Sequence, residues 1–181
     1  MKFLDLVKKR QSVRAYVTKT VKREIIDCCI EAARLAPSAC NSQPWRFIVI
    51  DNPELKNKVA SCTKNKAIGI NQFAEQAPVY VAVVTEHSSI AATIGSVLKN
   101  KAYNLIDTGI AVEHFCLQAA EEGLGTCIIG WFDEEKVKKL LKIQGNKRIP
   151  VVIAVGYAPK GYSLRKKVRK SIREIRKYNN F

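Results

Sequence analysis

The sequence predicts an α+β fold in a single domain, with helices layered over a sheet. Three observations lead there. Residues 45–50, 79–84, 126–129 and 151–155 are short runs rich in β-branched and aromatic side chains, and they read as strands. The stretches between them carry apolar residues at the three-to-four spacing of a helix face. The chain has 181 residues and no repeat or low-complexity linker, which suits one domain, 1–181, with a core of its own. The near-continuous apolar character of the strands implies burial on both faces.

The elements follow in order. Phe3, Leu4, Leu6 and Val7 give a short first helix ending near Arg10. Ile25, Ile26, Cys29, Ile30 and Ala33 form the apolar face of a second, which stops by Pro37 because the residue before a proline is pushed out of the helical region. A further helix separates the first two strands. In the long helix 102–122, Leu105, Gly109, Val112, Cys116 and Ala119 make one stripe and Ile106, Ile110 and Leu117 another. A helix apolar over most of its circumference belongs in a core or between subunits, and Gly109 would permit a close helix approach. Gly123 and Gly125 end it, as C-terminal glycines do. Asp133 caps the next helix, with Glu134 and Glu135 favourably placed in its first turn.

Composition narrows the function. An apolar share of 47% fits a folded chain rather than a disordered one. The longest run free of charge, 87–98, has twelve residues, whereas a membrane span needs about 20. Asp5 interrupts the N-terminal segment, so no secretion signal is expected. A cytoplasmic protein without a membrane partner follows. Its six cysteines (Cys28, Cys29, Cys40, Cys62, Cys116, Cys127) contain no C-x-x-C pair, and His87 and His114 are the two histidines. No metal site and no disulfide are expected, Cys29 and Cys116 being packing residues on helical stripes. His87 in a polar loop and His114 in the long helix read as structural.

Thirty-one Lys and Arg against sixteen Asp and Glu leave a net charge of +15. Within 160–177 stand nine bases and one acid, Glu174, so that segment alone carries +8. Such a tail suits nucleic acid, a membrane surface or a small phosphate ligand, and a solvated surface is the plain alternative.

No catalytic triad or P-loop can be assembled, and Gly123-Leu-Gly125 lacks the context of a dinucleotide fingerprint. If the chain is an enzyme, a cofactor supplies the reactivity. Four segments bear on which one. Arg10-Gln-Ser-Val-Arg14 places two guanidinium forks and a hydroxyl at alternate positions of an extended segment, on one side. Ala36-Pro-Ser-Ala-Cys-Asn-Ser-Gln-Pro-Trp45 is a proline-stiffened loop of short polar side chains. Gly123-Leu-Gly-Thr-Cys-Ile-Ile-Gly-Trp-Phe-Asp133 is a strand whose closing glycine leaves backbone N–H groups open to a flat ligand. The fourth is the basic tail, centred on Lys167-Val-Arg169-Lys170.

With R-x-S-x-R, A-P-S-x-x-N-x-Q-P-W, G-x-G-T-C-x-I-G-x-F and a late R-K-x-x-x-E-I in that order, the sequence resembles the nitroreductase family of FMN-dependent oxidoreductases over nearly its whole length. The resemblance implies an α/β/α sandwich with a largely antiparallel central sheet, in an intertwined homodimer with two FMN sites at the interface. The 102–122 helix would build much of that interface. By position, Arg10, Gln11, Ser12 and Arg14 would meet FMN in one subunit, Arg10 at the phosphate and Arg14 at the pyrimidine edge. Pro37, Ser38 and Ala39 would approach the ring system from the other subunit, with Asn41 close by. Ile128, Ile129 and Gly130 would lie along the isoalloxazine, a backbone N–H there meeting N5, and Lys167 and Arg169 would complete the phosphate clamp.

Gln11 stands where many relatives carry another arginine, and Ser171 where a proline is common. The span between the second and third motifs is short, so helices closing the substrate pocket in larger relatives would be absent. Cys127 falls beside the expected flavin, as a packing residue or, less favoured, a redox partner. The function implied is hydride transfer from NADH or NADPH through FMN to a flat small-molecule acceptor such as a nitroaromatic or quinone. The alternative is a flavin-binding protein of the same fold that stores or senses flavin or runs unusual flavin chemistry. Nucleic acid is not expected, since residues 165–177 hold no aromatic on which a base could stack.

Overall fold

In a computed structural model of the chain, residues 2–65, 67–86, 98 and 100–181 are described. His87 lies outside them. The helices are α1 (Phe3–Lys9), α2 (Arg23–Arg34), α3 (Pro53–Thr63), α4 (Tyr103–Glu121), α5 (Glu134–Leu140) and α6 (Ile172–Ile175). The strands are β1 (Trp45–Ile50), β2 (Val79–Thr85), β3 (Gly125–Ile129) and β4 (Arg148–Gly156). They form one antiparallel sheet in the order β1-β2-β4-β3, with Val49 opposite Val81, Val81 opposite Ile153, and Cys127 opposite Ala154. Layers of helix on either side complete the expected α+β fold.

The side-chain alternation of β2 divides the core. Val81 and Val83 face α2 and α4, where they meet Ile26, Cys29, Ala33, Phe115 and Cys116. Tyr80, Ala82 and Val84 face the opposite layer, with Val59 and Ala60 of α3 and Val137 of α5. Each fully buried Val, Ile or Phe contributes about 1.5–3 kcal/mol, so these two layers dominate the favourable side of folding. Burial on both faces holds for β2, but β1 departs from the expectation: it is an edge strand, buried at Trp45 and Ile50, while Arg46 is exposed and paired with Glu86. Pro150 sits in central β4, where its missing N–H would break the ladder. The sheet absorbs it with a bulge, Val83 pairing Val151 while Thr85 pairs Arg148.

The long helix requires a correction. α4 is buried through Asp107, Thr108, Ala111, Val112, Phe115, Cys116, Ala119 and Ala120. Leu105 and Gly109, assigned to the same stripe, face outward, and a Cβ at Gly109 would meet nothing within 4 Å. Among the described residues, therefore, nothing approaches Gly109 closely. A helix apolar nearly all round has no phase that periodicity could read, and packing against α2 and the sheet selects the row. Gly123, at φ 77°, ends α4 as expected, and Asp133 caps α5 by accepting the Lys136 N–H. His114 Nδ1 lies 3.2 Å from the Ala32 carbonyl, tying α4 to α2.

Candidate functional site: a cationic cavity and an open ledge

The site begins where the chain leaves α1. Residues after Arg10 run extended beside β3: the Val13 N–H donates to the Thr126 carbonyl at 2.8 Å, and Ser12 bridges Thr126 in parallel. Gly125 makes this approach possible, because a Cβ there would fall 2.7 Å from Val13 Cγ2. Val13 is buried in the core, which turns its neighbours Ser12 and Arg14 the other way. Tyr162 Oη accepts the Arg14 backbone N–H at 3.0 Å. Arg10 pairs with Glu113 of α4 at 3.2 Å.

The basic tail then returns to this segment from the far end of the chain. Lys167 Nζ donates to the Val7 carbonyl at 3.1 Å and to the Arg10 carbonyl, and the Arg165 guanidinium donates to the Ser12 carbonyl. Together they border a solvent-open cavity of about 300 Å³ lined by Arg10, Gln11, Ser12, Arg14 and residues 165–169. No carboxylate is among its walls. Burial, helped by the neighbouring Arg10 and Arg169 charges, lowers the pKa of Lys167. A cluster of cations with no carboxylate on its walls favours an anion at this place. A hollow of similar size at Thr85, Asn104 and Arg148 offers a contrast, for its charges are matched: Glu86 with Arg46 and Lys147, Glu134 with Arg148.

The cavity thus gathers Arg10, Gln11, Ser12, Arg14, Lys167 and Arg169. It does not gather the rest. Pro37, Ser38, Ala39 and Asn41 belong to a loop held by its own bonds: Ser38 Oγ accepts the Gln43 N–H at 3.0 Å, Gln43 Nε2 donates to Asn41 Oδ1 at 3.1 Å, and the buried Asp107 accepts the Ala39 N–H at 3.0 Å. Cys40, Asn41 and Gln43 adopt left-handed φ of 51°, 50° and 44°, a conformation that costs about 1–3 kcal/mol per non-glycine residue and persists where surroundings impose it. At the end of β3, Ile128 is 37% exposed, Ile129 is buried, and a Cβ at Gly130 would meet nothing within 4 Å. Of the two isoleucines, Ile128 alone presents its side chain. The result is an open ledge, continued by exposed Trp131.

Two features escaped the sequence reading. Arg165 and Lys166 also line the cavity. Arg165, Lys167 and Arg169 alternate along an extended stretch, as Arg10, Ser12 and Arg14 do, and that shared alternation was the available signal. Glu113 had none, lying a hundred residues from its partner Arg10. Cys127 points into the core, where burial pushes its thiol pKa up, so it packs rather than reacts.

The sequence profile of the Nitroreductase family matches residues 7–157. The oxygen-insensitive NADPH nitroreductase of Helicobacter pylori is 30% identical over 86% of this chain and 90% of its own length. The iodotyrosine deiodinase of Thermotoga neapolitana is 27% identical over 87% of this chain and 89% of its own. Among solved structures, the FMN-dependent nitroreductase of Clostridium difficile R20291 superposes with a TM-score of 0.78 at 25% identity, over 99% of this chain and 100% of that one.

Proposed function

The chain belongs to the nitroreductase family, and from that premise we propose that it is a homodimeric FMN oxidoreductase, reducing a flat acceptor such as a nitroaromatic or quinone with electrons from NADH or NADPH. The observation that carries this reading is the cationic cavity, because its donor set of guanidinium, ammonium and hydroxyl groups without a carboxylate fits a phosphate dianion. When bound, FMN would supply the redox chemistry of a ping-pong hydride transfer between nicotinamide and acceptor.

The chain's own residues bind and orient. Arg10, Lys167 and Arg169 hold the phosphate, and the Ser12 hydroxyl adds a neutral contact. Arg14 faces the pyrimidine edge. The ledge 128–130 lies along the ring system with its backbone unobstructed. Pro37, Ser38, Ala39 and Asn41 come from a second copy, which accounts for their absence from the cavity within one chain. Support for that second copy comes from the apolar residues left outside: Leu105 and Ile106 on α4, and Phe3 and Leu4 on α1, are all at least half exposed. Among the described residues no helix is long and apolar enough to cross a membrane.

A second reading, a flavin protein of the same fold with a different task, is favoured by one observation, the similarity to an iodotyrosine deiodinase. The visible spectrum of the purified protein, followed by addition of NADH or NADPH without oxygen, separates the two. A bound flavin that bleaches is the expected result. Flavin that stays oxidised moves the protein to the second reading, and a colourless chain that takes up no FMN overturns both.

A further inference from the structure

The cavity walls come from segments more than 150 residues apart in sequence, and they carry like charge. Arg10, Arg14, Arg165, Lys166, Lys167 and Arg169 all line it, and among the described residues Glu113 is the one carboxylate that pairs with any of them. Coulomb repulsion therefore opposes the docking of the tail. One neutral side chain works against it. Gln11 Nε2 donates to the Ser163 carbonyl at 3.1 Å, and Gln11 Oε1 accepts the Arg165 backbone N–H at 3.1 Å. A single amide thus satisfies two backbone groups of the tail, two residues apart, much as a neighbouring strand would. Directly beyond that latch, the Arg165 guanidinium donates to the Ser12 carbonyl, which uses one corner of its fork and leaves the remaining donors for a ligand.

We propose that Gln11 is a positioning residue that latches the tail to the 10–14 segment, and that Arg165, held by it, is a further cation of the phosphate site. Gln11 then acts through backbone geometry rather than by touching the ligand. Arginine at this position would add charge to the cavity and keep a donor for the Ser163 carbonyl, yet forfeit the bond to the Arg165 N–H, since a guanidinium has no acceptor. Charge and latch consequently predict opposite outcomes. The inference rests on the FMN reading above, and its test is arranged so that the two can fail separately.

The experiment compares wild type, Gln11→Arg, Gln11→Ala and Arg165→Gln as purified holoproteins. It measures dissociation constants for FMN and riboflavin, and the rate of tryptic cleavage after Arg165 and Lys166. FMN should weaken by about tenfold in Gln11→Ala, which loses both hydrogen bonds, and by about fivefold in Gln11→Arg, which loses the one to the Arg165 N–H, with riboflavin changed by less than about twofold in each. Tryptic cleavage of the tail should accelerate in both. Arg165→Gln should cost FMN about tenfold as well, again sparing riboflavin. Tighter or unchanged FMN binding in Gln11→Arg overturns the latch, and equal losses of FMN and riboflavin reduce Gln11 to general support of the fold and overturn it too. Unchanged FMN in Arg165→Gln removes that residue from the site. Should wild type bind FMN no better than riboflavin, the phosphate reading itself falls. The latch is then judged by protease alone, where equal rates in wild type and the Gln11 variants reject it.

Discussion

At one end of the candidate site, residues 10–14 and 165–169 meet within a single chain around a cavity of about 300 Å³. At the other end, the 36–43 loop and the 128–130 ledge do not line that cavity. The first end is held by hydrogen bonds against the repulsion of its like charges, with Lys167 and Arg165 anchored on backbone carbonyls. The second consists of two surfaces, each held by its own bonds: the loop through Asp107 and its own side chains, the ledge through the pairing of β3 with β4 up to Ile129. The difference separates binding from positioning. On the proposed reading, one copy supplies the phosphate clamp and a second copy completes the cover over the ring.

The largest expected effect tests that division at α4. Ile106, 54% exposed, lies on the outward row, and Ile106→Glu should leave the fold intact while placing an unpaired charge in the proposed subunit contact. Such a charge costs several kcal/mol when buried, so assembly and ring binding should be lost together. Sedimentation and flavin content check this, and a monomer with full flavin occupancy would erase the contrast between the two ends. Val112→Glu cannot serve here. Val112 is buried against α2 and the sheet, and a charge there should unfold the chain, visible as lost circular dichroism.

Next in size is the phosphate end. Arg169→Ala should weaken FMN by roughly tenfold or more, since charge-assisted contacts contribute about 1.5–3 kcal/mol, and riboflavin should barely respond. Equal loss of both flavins would show that the tail acts elsewhere.

A smaller effect is pH dependence at the same end. The Lys167 pKa is lowered, first by burial and then by Arg10 and Arg169. Between that lowered value and the ordinary lysine value the unfolded chain binds more protons than the folded one, so stability should rise with pH across this window. FMN affinity should move the opposite way, falling as the ammonium loses its proton. Calorimetric melting and FMN titration at matched pH check the opposed signs, and Lys167→Arg should flatten both.

How much of this was legible in the sequence follows from range. Strands, caps and the glycine stop at Gly123 depend on neighbours within a few residues, and their positions agree with the structure. So does the alternation of Arg10, Ser12 and Arg14, because Val13 packs inward between the last two. The facing row of α4 was not legible, since an all-round apolar helix carries no phase. Nor was Gly125, read as a helix stop, whose bare Cα is needed by a side chain more than a hundred residues earlier. Gln11 shows the same limit. Its residue type signalled a missing charge, and its bonds to Ser163 and Arg165 exist only once the tail has returned.

Arg14 stands between the two ends, and the smallest effect is the most discriminating. It lines the cationic cavity, yet its proposed partner is the pyrimidine edge of the flavin rather than the phosphate. If so, its charge has most value in the reduced state, when negative charge accumulates at that edge. Arg14→Gln should then lower the flavin midpoint potential while costing oxidised FMN comparatively little affinity. For a two-electron couple about 30 mV corresponds to 1.4 kcal/mol, so loss of one such contact should move the potential by tens of millivolts. If Arg14 instead belongs to the phosphate clamp, both redox states weaken equally and the midpoint stays where it was. An unchanged midpoint with a large loss of oxidised-FMN affinity would therefore reassign Arg14 to the phosphate and leave the ring end without a cation from this segment.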